Sequence, residues 1–375
     1  MGFSHDVVQV VGAGPAGLAA AITLARAGRR VRVHEARPGV GHRFQGDLQG
    51  LENWSTAGDV LDLLRALGIT TSFAALPCKR GTAFDAWDEG HAIESAAPLY
   101  YMIERGPGAA SLDTALLEQA LASGVEVRFE GRVERLEGPG ILATGPKAAD
   151  AIAVGYHFET PMDDGFWLAL DDRLAPAGYA YLLVMRGRGT VKSCMFSGFK
   201  QERLYVDRTV ERFRRLVGLE MRNARFHGGV ANFRVPASAL SGGHLVVGEQ
   251  AGFQDALAGF GIRYAILSGV MAARVLLAGA DYDAVWRRQL LPTMETSVVN
   301  RAIYSLVGNR GYRWLLRSQA WSGDARRLLR WLYRPAHARR LLLPWARRRF
   351  HAQRQDESCN HADCACVWCR CGGPS

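Results

Sequence analysis

The sequence has no long apolar stretch, although 48% of its 375 residues are hydrophobic. No uninterrupted apolar run reaches the roughly 18–20 residues that a membrane-spanning helix needs. The N-terminus has no charged segment followed by an apolar one, and Asp6 stands where N-myristoylation requires Ser or Thr. We therefore expect no signal peptide and a cytoplasmic location, either in solution or at the inner face of the membrane.

Patterns typical of hydrolases are absent as well. The sequence shows neither a Ser-His-Asp arrangement nor the ligand spacing of a hydrolytic metal site, so we assign no catalytic residue. There is no internal repeat and no low-complexity linker ahead of the C-terminal tail. A protein of this length has room for two domains, or for one large domain with appendages.

Excess basic charge is missing from most of the sequence. The segment Asp281–Asp356 contains 16 arginines, no lysine and five acidic residues, a net charge of +11 against +10 for the whole protein. The remainder is therefore close to neutral. A nucleic-acid enzyme would be expected to carry basic residues around its active cleft, so we expect no nucleic-acid partner.

A nucleotide-binding pattern is present at the N-terminus. The apolar run Val7–Val11 suits a buried parallel strand, and Gly12-x-Gly14-x-x-Gly17 follows it directly. An alanine- and leucine-rich helix comes next, and then a second strand that ends at Glu35. Strand, glycine turn, helix and terminal acid at this spacing predict a βαβ dinucleotide-binding unit.

The glycines have separate physical roles in such a unit. Gly12 permits the tight turn, Gly14 lets a pyrophosphate approach the backbone, and Gly17 lets the helix pack closely on the strand. Free N–H groups at the helix N-terminus would bind the pyrophosphate, and Glu35 would accept hydrogen bonds from the ribose. The residues expected at the nucleotide are Gly12, Gly14, Pro15, Ala16, Gly17, Glu35 and Ala36.

A second glycine-rich segment lies far downstream. A strand runs into Gly248-Glu249, and the turn Gly259-x-Gly261 then leads through Ile262 into a helix with small residues. Flavoenzymes carry a similar G-D-x-A-G sequence followed by G-x-G-I, in which the acid binds the ribityl hydroxyls and the helix N-terminus faces the flavin. Glu249 replaces the usual Asp and is one methylene longer.

Together the two segments resemble the FAD-dependent oxidoreductases of the p-hydroxybenzoate hydroxylase fold, and within it the geranylgeranyl reductase family. The resemblance covers Val7–Leu276. It implies an α/β fold (α+β overall), in which a Rossmann-like FAD-binding domain is interrupted by an antiparallel β-sheet substrate domain and followed by C-terminal helices. Arg105 stands where that fold commonly places an arginine near the FAD.

Other positions are assigned through the same resemblance. The segment Pro176–Val184 is similar to the P-x-x-Y-x-W-x-F-P segment that lines the lipid cavity of the reductases. Tyr179 matches the tyrosine and Tyr181 stands for the tryptophan, so both are expected at the substrate, together with His42. The loop that contains Arg43, Gln45 and Gly46 is expected at the flavin.

Two departures from the family weaken the analogy. Gln45 replaces the cysteine of the reductases' Cys-Gly-Asp-like segment, so this position offers no thiol. The D-G-x-x-S segment that the family shows near the middle of its sequences is missing, and Ala143–Asp150 stands in the corresponding place. The resemblance therefore implies the cofactor, and the substrate and electron donor must be argued from the site.

The sequence leaves three functions open. The first is an FAD-dependent oxidoreductase that acts on a hydrophobic, isoprenoid or lipid substrate by hydride transfer through flavin N5. The second is a flavin monooxygenase that uses NAD(P)H and oxygen. The third is an FAD-binding redox sensor or metal-handling protein. No second complete βαβ fingerprint for NAD(P)H is visible, so a transiently docking nicotinamide or another donor would supply electrons.

The change of pattern along the sequence predicts its domains. Long alternating strands begin near residue 155, after the βαβ unit, and a βα unit returns near residue 244. We predict an FAD-binding domain from residues 1–154 and 236–280, and an antiparallel-sheet substrate domain from residues 155–235. A basic helical region at 281–357 and a cysteine-rich tail at 358–375 follow.

The basic helices have two interpretations. They alternate arginine pairs with Leu, Trp and Tyr, as in Ala325–Tyr333 and Pro335–Phe350. Such helices lie at anionic membrane surfaces, where the arginines meet phosphates and the apolar side chains enter the acyl region. Alternatively they pack on the FAD domain and leave a solvated arginine face.

The tail concentrates the cysteines. Five of the seven lie there, at a spacing that fits no standard zinc finger. They are a candidate soft-metal site for zinc or copper(I), or else reactive thiols of a disordered tail. The candidate ligands are Cys359, Cys364, Cys366, Cys369 and Cys371; Cys78 and Cys194 lie on apolar segments and are expected to be buried.

Overall fold

The computed structural model describes residues 7–133, 136–146 and 149–349, with every side chain in them except those of 319–322. The strands are β1 (Val8–Val11), β2 (Val31–His34), β3 (Asp47–Glu52), β4 (Ala75–Cys78), β5 (Arg80–Phe84), β6 (Gly90–Glu94), β7 (Tyr100–Arg105), β8 (Glu126–Arg128), β9 (Gly140–Leu142), β10 (Ala151–Glu159), β11 (Gly165–Ala169), β12 (Tyr179–Met185), β13 (Arg188–Met195), β14 (Arg222–Ala231), β15 (Leu240–Ser241) and β16 (His244–Val246). The α-helices are α1 (Pro15–Arg26), α2 (Val60–Ala66), α3 (Leu112–Ala122), α4 (Glu202–Val217), α5 (Ile262–Ala278), α6 (Tyr282–Gln289), α7 (Leu291–Ser322), α8 (Ala325–Tyr333) and α9 (His337–Arg349).

The N-terminal βαβ unit forms the centre of a six-stranded sheet. Its strand order is β15-β16-β9-β1-β2-β8, and β1 pairs in parallel with both β2 and β9. Val10 and Val33 are fully buried because the parallel strands have helices against their faces. The Rossmann-like part of the predicted fold is therefore confirmed.

Small residues let α1 approach its neighbours closely. A Cβ atom on Gly17 would lie 1.9 Å from the carbonyl oxygen of Gly12, so only hydrogen fits between the helix and the turn. A Cβ on Gly269 of α5 would lie 2.1 Å from the carbonyl oxygen of Ala16. The helices α1 and α5 thus pack nearly backbone to backbone, which brings both of their N-termini to one edge of the sheet.

A seven-stranded sheet forms the second layer, in the order β14-β10-β13-β12-β11-β5-β6. Its central pairs are antiparallel, as predicted from the alternating strands. The sheet differs in two respects from the predicted division of the sequence. The strand β10 begins at Ala151, four residues before the predicted start of the substrate domain. The sheet also contains β5 and β6, which lie within the segment assigned to the FAD-binding domain.

A small sheet connects the two layers. It has the order β3-β7-β4, and it reaches the large sheet where the backbone N–H of Leu48 donates to Thr190 Oγ1 at 3.0 Å. Asp47, at the start of β3, is consequently buried against β13 although the two segments are far apart in the sequence. This junction places charged groups at the boundary between the layers.

The C-terminal helices pack on the rest of the protein. The longest of them, α7, changes direction at Gly308 (φ 54°, ψ −165°). The helix α8 has the predicted bounds, and Arg326 Nε donates to the Asn53 carbonyl oxygen at 2.6 Å. Within the described residues, no helix combines the length and the hydrophobicity that a membrane crossing requires.

The close contact of α1 with α5 generates a test of the fold. Gly269→Val should lower the free energy of unfolding by at least about 2 kcal/mol, because the new side chain must displace the Ala16 backbone. Gly58→Ala is the matched control, since its Cβ meets no described atom within 4 Å, and it should stay within about 0.5 kcal/mol of the parent. Urea unfolding measures both; equal effects would contradict the packing described.

Candidate active site

A large cavity of about 1680 Å³ lies between the parallel sheet, the antiparallel sheet and the helices α7 and α8. Its walls contain every residue predicted at the cofactor except Gly17 and Gly46, namely Gly12, Gly14, Pro15, Ala16, Glu35, Ala36, Arg43, Gln45, Arg105, Gly248, Glu249, Gly259, Gly261 and Ile262. The residues predicted at the substrate, His42, Tyr179 and Tyr181, line it as well. Segments that are distant in sequence thus meet at one site.

The first glycine turn leaves open space where a pyrophosphate would lie. A Cβ on Gly14 would meet no described atom within 4 Å, whereas one on Gly12 would lie 2.2 Å from the Ala143 carbonyl oxygen. Among the described residues, no side chain caps the N-terminus of α1, so its first N–H groups are available to an anion. This arrangement fits the phosphates of a dinucleotide.

Glu35 lies at the end of β2, beside the glycine turn. Its carboxylate accepts hydrogen bonds from the backbone N–H of Ala13 at 2.9 Å and from that of Arg37 at 3.0 Å. These bonds fix the carboxylate at the cavity wall and leave it further lone pairs as an acceptor. The geometry suits the predicted contact with ribose hydroxyls.

The second glycine segment forms the opposite wall of the cofactor end. The backbone N–H of Gly248 donates to Ser268 Oγ at 2.9 Å, which ties the turn to α5. Glu249 Oε1 accepts a hydrogen bond from the Asn232 backbone at 3.1 Å, and Gln254 holds the turn through the Gly259 carbonyl oxygen at 2.7 Å. Within the described part of the protein, no side chain caps α5 either, so a second helix N-terminus is available to the ligand.

Arg105 has a structural partner that the sequence did not reveal. Its Nε and Nη2 donate to the two carboxylate oxygens of Asp113 at 2.8 and 2.9 Å, and both side chains are buried. Its carbonyl oxygen also accepts from the Gly46 N–H at 2.9 Å. Arg105 therefore holds the predicted flavin loop in place, and its direct contact with FAD stays a prediction.

The other end of the cavity is apolar. Tyr179 and Tyr181 stand side by side on β12, with ring centroids 5.9 Å apart, and the Tyr179 hydroxyl donates to the Ala258 carbonyl oxygen. His42, by contrast, is an exposed residue of the loop between β2 and β3. Further apolar lining residues are Trp54, Ile93, Leu99, Tyr100, Phe166, Leu168, Leu170, Leu183, Leu315, Leu316, Leu328, Leu329 and Leu332.

A charged cluster separates the two ends, and sequence reasoning missed it. Lys192 Nζ lies 2.6 Å from Asp47 Oδ2 and 3.0 Å from His227 Nδ1, and all three residues line the cavity. The imidazole Nε2 of His227 lies 2.8 Å from the Arg43 carbonyl oxygen. The available signal was a lysine in the strand TVKSCMF, whose other residues are uncharged.

The ionisation of this cluster follows from its surroundings. Burial alone would raise the pKa of Asp47, but Lys192 and His227 outweigh it and hold that pKa below its usual value. Burial and the Lys192 charge together lower the pKa of His227 to about 4. At neutral pH His227 is therefore uncharged, with Nδ1 accepting from Lys192 and Nε2–H donating to Arg43.

Two groups of residues are candidate metal ligands. The predicted ligands Cys359, Cys364, Cys366, Cys369 and Cys371 lie outside the described residues. Within the described ranges, Asp85, Glu89 and His91 lie close enough to share an ion. Arg313 already pairs with both Asp85, at 2.6 Å, and Glu89, at 2.9 Å, so a guanidinium supplies the positive charge there.

Comparison with known proteins decides the cofactor. Residues 4–141 match the FAD binding domain family. The chain is an FAD-dependent oxidoreductase. It is 26% identical over 341 residues to the digeranylgeranylglycerophospholipid reductase of Methanosphaerula palustris, a match that covers 76% of this chain and 82% of that protein. The sequence predictions of a geranylgeranyl reductase-like flavoprotein and of FAD are thereby confirmed.

Solved structures share its fold. A geranylgeranyl bacteriochlorophyll reductase-like protein from Thermoplasma acidophilum superimposes with a TM-score of 0.69 at 18% identity, covering 93% of this chain and 96% of that one. The flavin-dependent brominase Bmp2 superimposes with a TM-score of 0.63 at 14% identity, covering 92% and 99%. Enzymes of different activity thus have this fold, so the substrate must be argued from the cavity.

The open space at Gly14 generates a test of FAD binding. Gly14→Asp should weaken FAD binding at least about tenfold, or ~1.4 kcal/mol, because a carboxylate would enter the space predicted for the pyrophosphate. Gly58→Asp introduces the same group at an exposed turn and should bind FAD like the parent. Quenching of FAD fluorescence by apo-protein measures the affinity, and equal affinities would place the pyrophosphate elsewhere.

Proposed function

We propose that this oxidoreductase reduces carbon–carbon double bonds in the isoprenoid chains of a lipid, by hydride transfer through flavin N5. The observation that supports it most is a single cavity with a dinucleotide-binding end and an apolar end. Its volume of about 1680 Å³ exceeds the ~300–1,000 Å³ typical of one drug-sized ligand, so a cofactor and a long isoprenoid can be accommodated together. The name of the Methanosphaerula relative supports the same substrate class.

The residues of the apolar end would bind and orient the isoprenoid. Leu328, Leu329 and Leu332 from α8 face β12 across the cavity, so the substrate can be surrounded by aliphatic and aromatic side chains. Burial of its methyl groups would stabilise binding without fixing the isoprenoid at one position along the cavity. The tyrosine pair of β12 would limit how far the isoprenoid moves along it. Apolar walls also exclude water from the reacting carbons.

Bound FAD would supply the hydride chemistry, and the protein would bind and orient the cofactor. The helix N-termini at Gly14 and Gly261 and the acid Glu35 would hold the cofactor, and the loop at Gln45 would lie at its ring. Gln45 can donate or accept a hydrogen bond, which keeps a polar contact where the related enzymes have a thiol. The electron donor is proposed to be NAD(P)H, which docks transiently.

Reduction of a named lipid tests this function. Enzyme reduced under anaerobic conditions should be reoxidised by a phospholipid with two geranylgeranyl chains, and the lipid should gain one hydrogen molecule for each bond reduced. Leu329→Trp should slow this step at least about tenfold by filling the apolar end, whereas Leu121→Trp, on the exposed face of α3, should not. Flavin absorbance and lipid mass spectrometry follow the reaction.

Other outcomes distinguish the alternatives. Failure of the lipid to reoxidise the flavin would contradict the proposal. Incorporation of oxygen with NADPH consumption would identify a monooxygenase instead. Removal of residues 358–375 should leave lipid reduction unchanged, whereas a redox sensor that signals through its tail would lose its response.

We also propose that the substrate enters from an anionic membrane surface. The surface of α7, α8 and α9 exposes large apolar groups, with Trp314 72%, Trp331 63% and Leu341 82% exposed. Exposed arginines such as Arg330 and Arg340 lie among them. The opposite face of α8 lines the apolar end of the cavity, so the same helix would contact both the bilayer and the substrate.

Vesicle binding tests the membrane contact. The protein should sediment with vesicles that contain phosphatidylglycerol and much less with neutral ones. Arg330→Glu with Arg340→Glu should weaken binding at least about tenfold, because each basic residue near an anionic surface contributes ~1 kcal/mol. Arg208→Glu with Arg222→Glu, exposed on α4 and β14, is the matched control and should bind nearly as the parent does. Equal loss in both pairs would contradict a specific surface.

A further inference from the structure

Lys192 is a buried cation on the face of the large sheet that lines the cavity. It is 2% exposed and lines the cavity on β13, with Tyr181 of β12 as its register partner and Cys194 two positions further along the strand. An isolated charge in such surroundings would be strongly unfavourable, so its position needs compensation. Lipid binding by hydrophobic contacts gives no reason for a cation here.

The compensation is a fixed ion pair. Asp47, fully buried, faces the Lys192 ammonium at 2.6 Å and is itself held by Gln49 Nε2 at 3.0 Å and Thr190 Oγ1 at 3.3 Å. His227 accepts a second ammonium hydrogen and contributes no charge at neutral pH. The ammonium therefore cannot turn away from the cavity, and its position is set by three separate strands.

The pair lies beside the segment that is predicted at the flavin. Asp47 directly follows Gln45 and Gly46, the segment predicted at the flavin ring, and Lys192 shares the cavity wall with the tyrosines of β12. A charge at this boundary acts on whatever electron density the cofactor gains or loses. Interaction between charges is strong here because the surrounding side chains exclude water.

We propose that the Lys192–Asp47 pair sets the reduction potential of the bound flavin, with Lys192 favouring the reduced state. Two-electron reduction adds negative charge to the ring system when N1 is deprotonated, and a fixed ammonium stabilises that charge. Asp47 acts in the opposite sense on the ring, and its carboxylate compensates the burial of the ammonium. The inference concerns the cofactor and does not depend on the lipid substrate.

The other titratable groups near Lys192 do not supply this charge. They are Asp47 from β3, Tyr181 from β12, Cys194 from β13, His157 from β10 and His227 from β14. Burial raises the pKa values of Tyr181 and Cys194 and lowers those of both histidines, which keeps all four uncharged near neutrality. Of these groups only Lys192 and Asp47 are therefore charged near neutrality. Arg43 and Arg105 also line the cavity, and the Asp113 carboxylate compensates the charge of Arg105.

Potentiometry of the FAD-bound protein tests the inference without any lipid. Lys192→Met should lower the equilibrium constant for flavin reduction at least tenfold, which lowers the reduction potential of this two-electron couple by about 30 mV. Asp47→Asn should shift the potential upward, because the ammonium then acts unopposed. Lys192→Arg retains a positive charge and should stay close to the parent. Anaerobic titration against reference dyes measures each potential.

The matched control is Arg313→Met, which removes one positive charge from the ion-pair cluster with Asp85 and Glu89, residues that are not part of the cavity wall. Its potential should equal that of the parent. A Lys192→Met protein with an unchanged or raised potential would overturn the inference. If that variant does not retain FAD, the Asp47→Asn protein decides: an unchanged or lowered potential overturns the proposal, and a raised one supports it.

Discussion

Backbone-to-backbone packing around α1 is the constraint on which the site depends. Because hydrogen atoms replace side chains at Gly17 and Gly269, α1 lies against the β1 turn on one side and against α5 on the other. Larger residues would separate these elements and move the two helix N-termini apart. The partial positive charges of both N-termini consequently face one cavity, where an extended cofactor with several anionic and polar groups can contact both.

The seven-stranded sheet provides one wall of the apolar end of the cavity, which the nucleotide-binding sheet does not form. The large sheet provides a long wall that α7 and α8 close from the other side, and this wall makes the apolar end of the cavity. Buried charged side chains occur between the two ends, where Asp47 and Lys192 form an ion pair and compensate each other's charge. The cavity thus has a polar end suited to a cofactor and an apolar end, and the two form one continuous space.

The sequence predicted features that are encoded locally. The βαβ unit and the helix α8 follow from spacing, capping and periodicity within short segments, and the FAD fold followed from two glycine motifs. The Lys192–Asp47 pair could not be predicted in this way, because 145 residues separate its members and the packing of two sheets brings them together. The pairing of β5 with β11 in the large sheet likewise depends on tertiary contacts, whereas the Arg105–Asp113 pair joins residues only eight apart in the turn from β7 into α3.

The bend of α7 at Gly308 links the direction of this helix to the depth of the apolar end of the cavity. Its φ of 54° with ψ of −165° belongs to a backbone region that is open almost only to glycine. The half of α7 before the bend packs in the core through Val299 and Ala302, while the half after it carries Leu315 and Leu316 to the cavity. The depth of the apolar end therefore depends on the angle at one residue, and a change of this angle alone would deepen or shorten the apolar space while every lining residue stays the same.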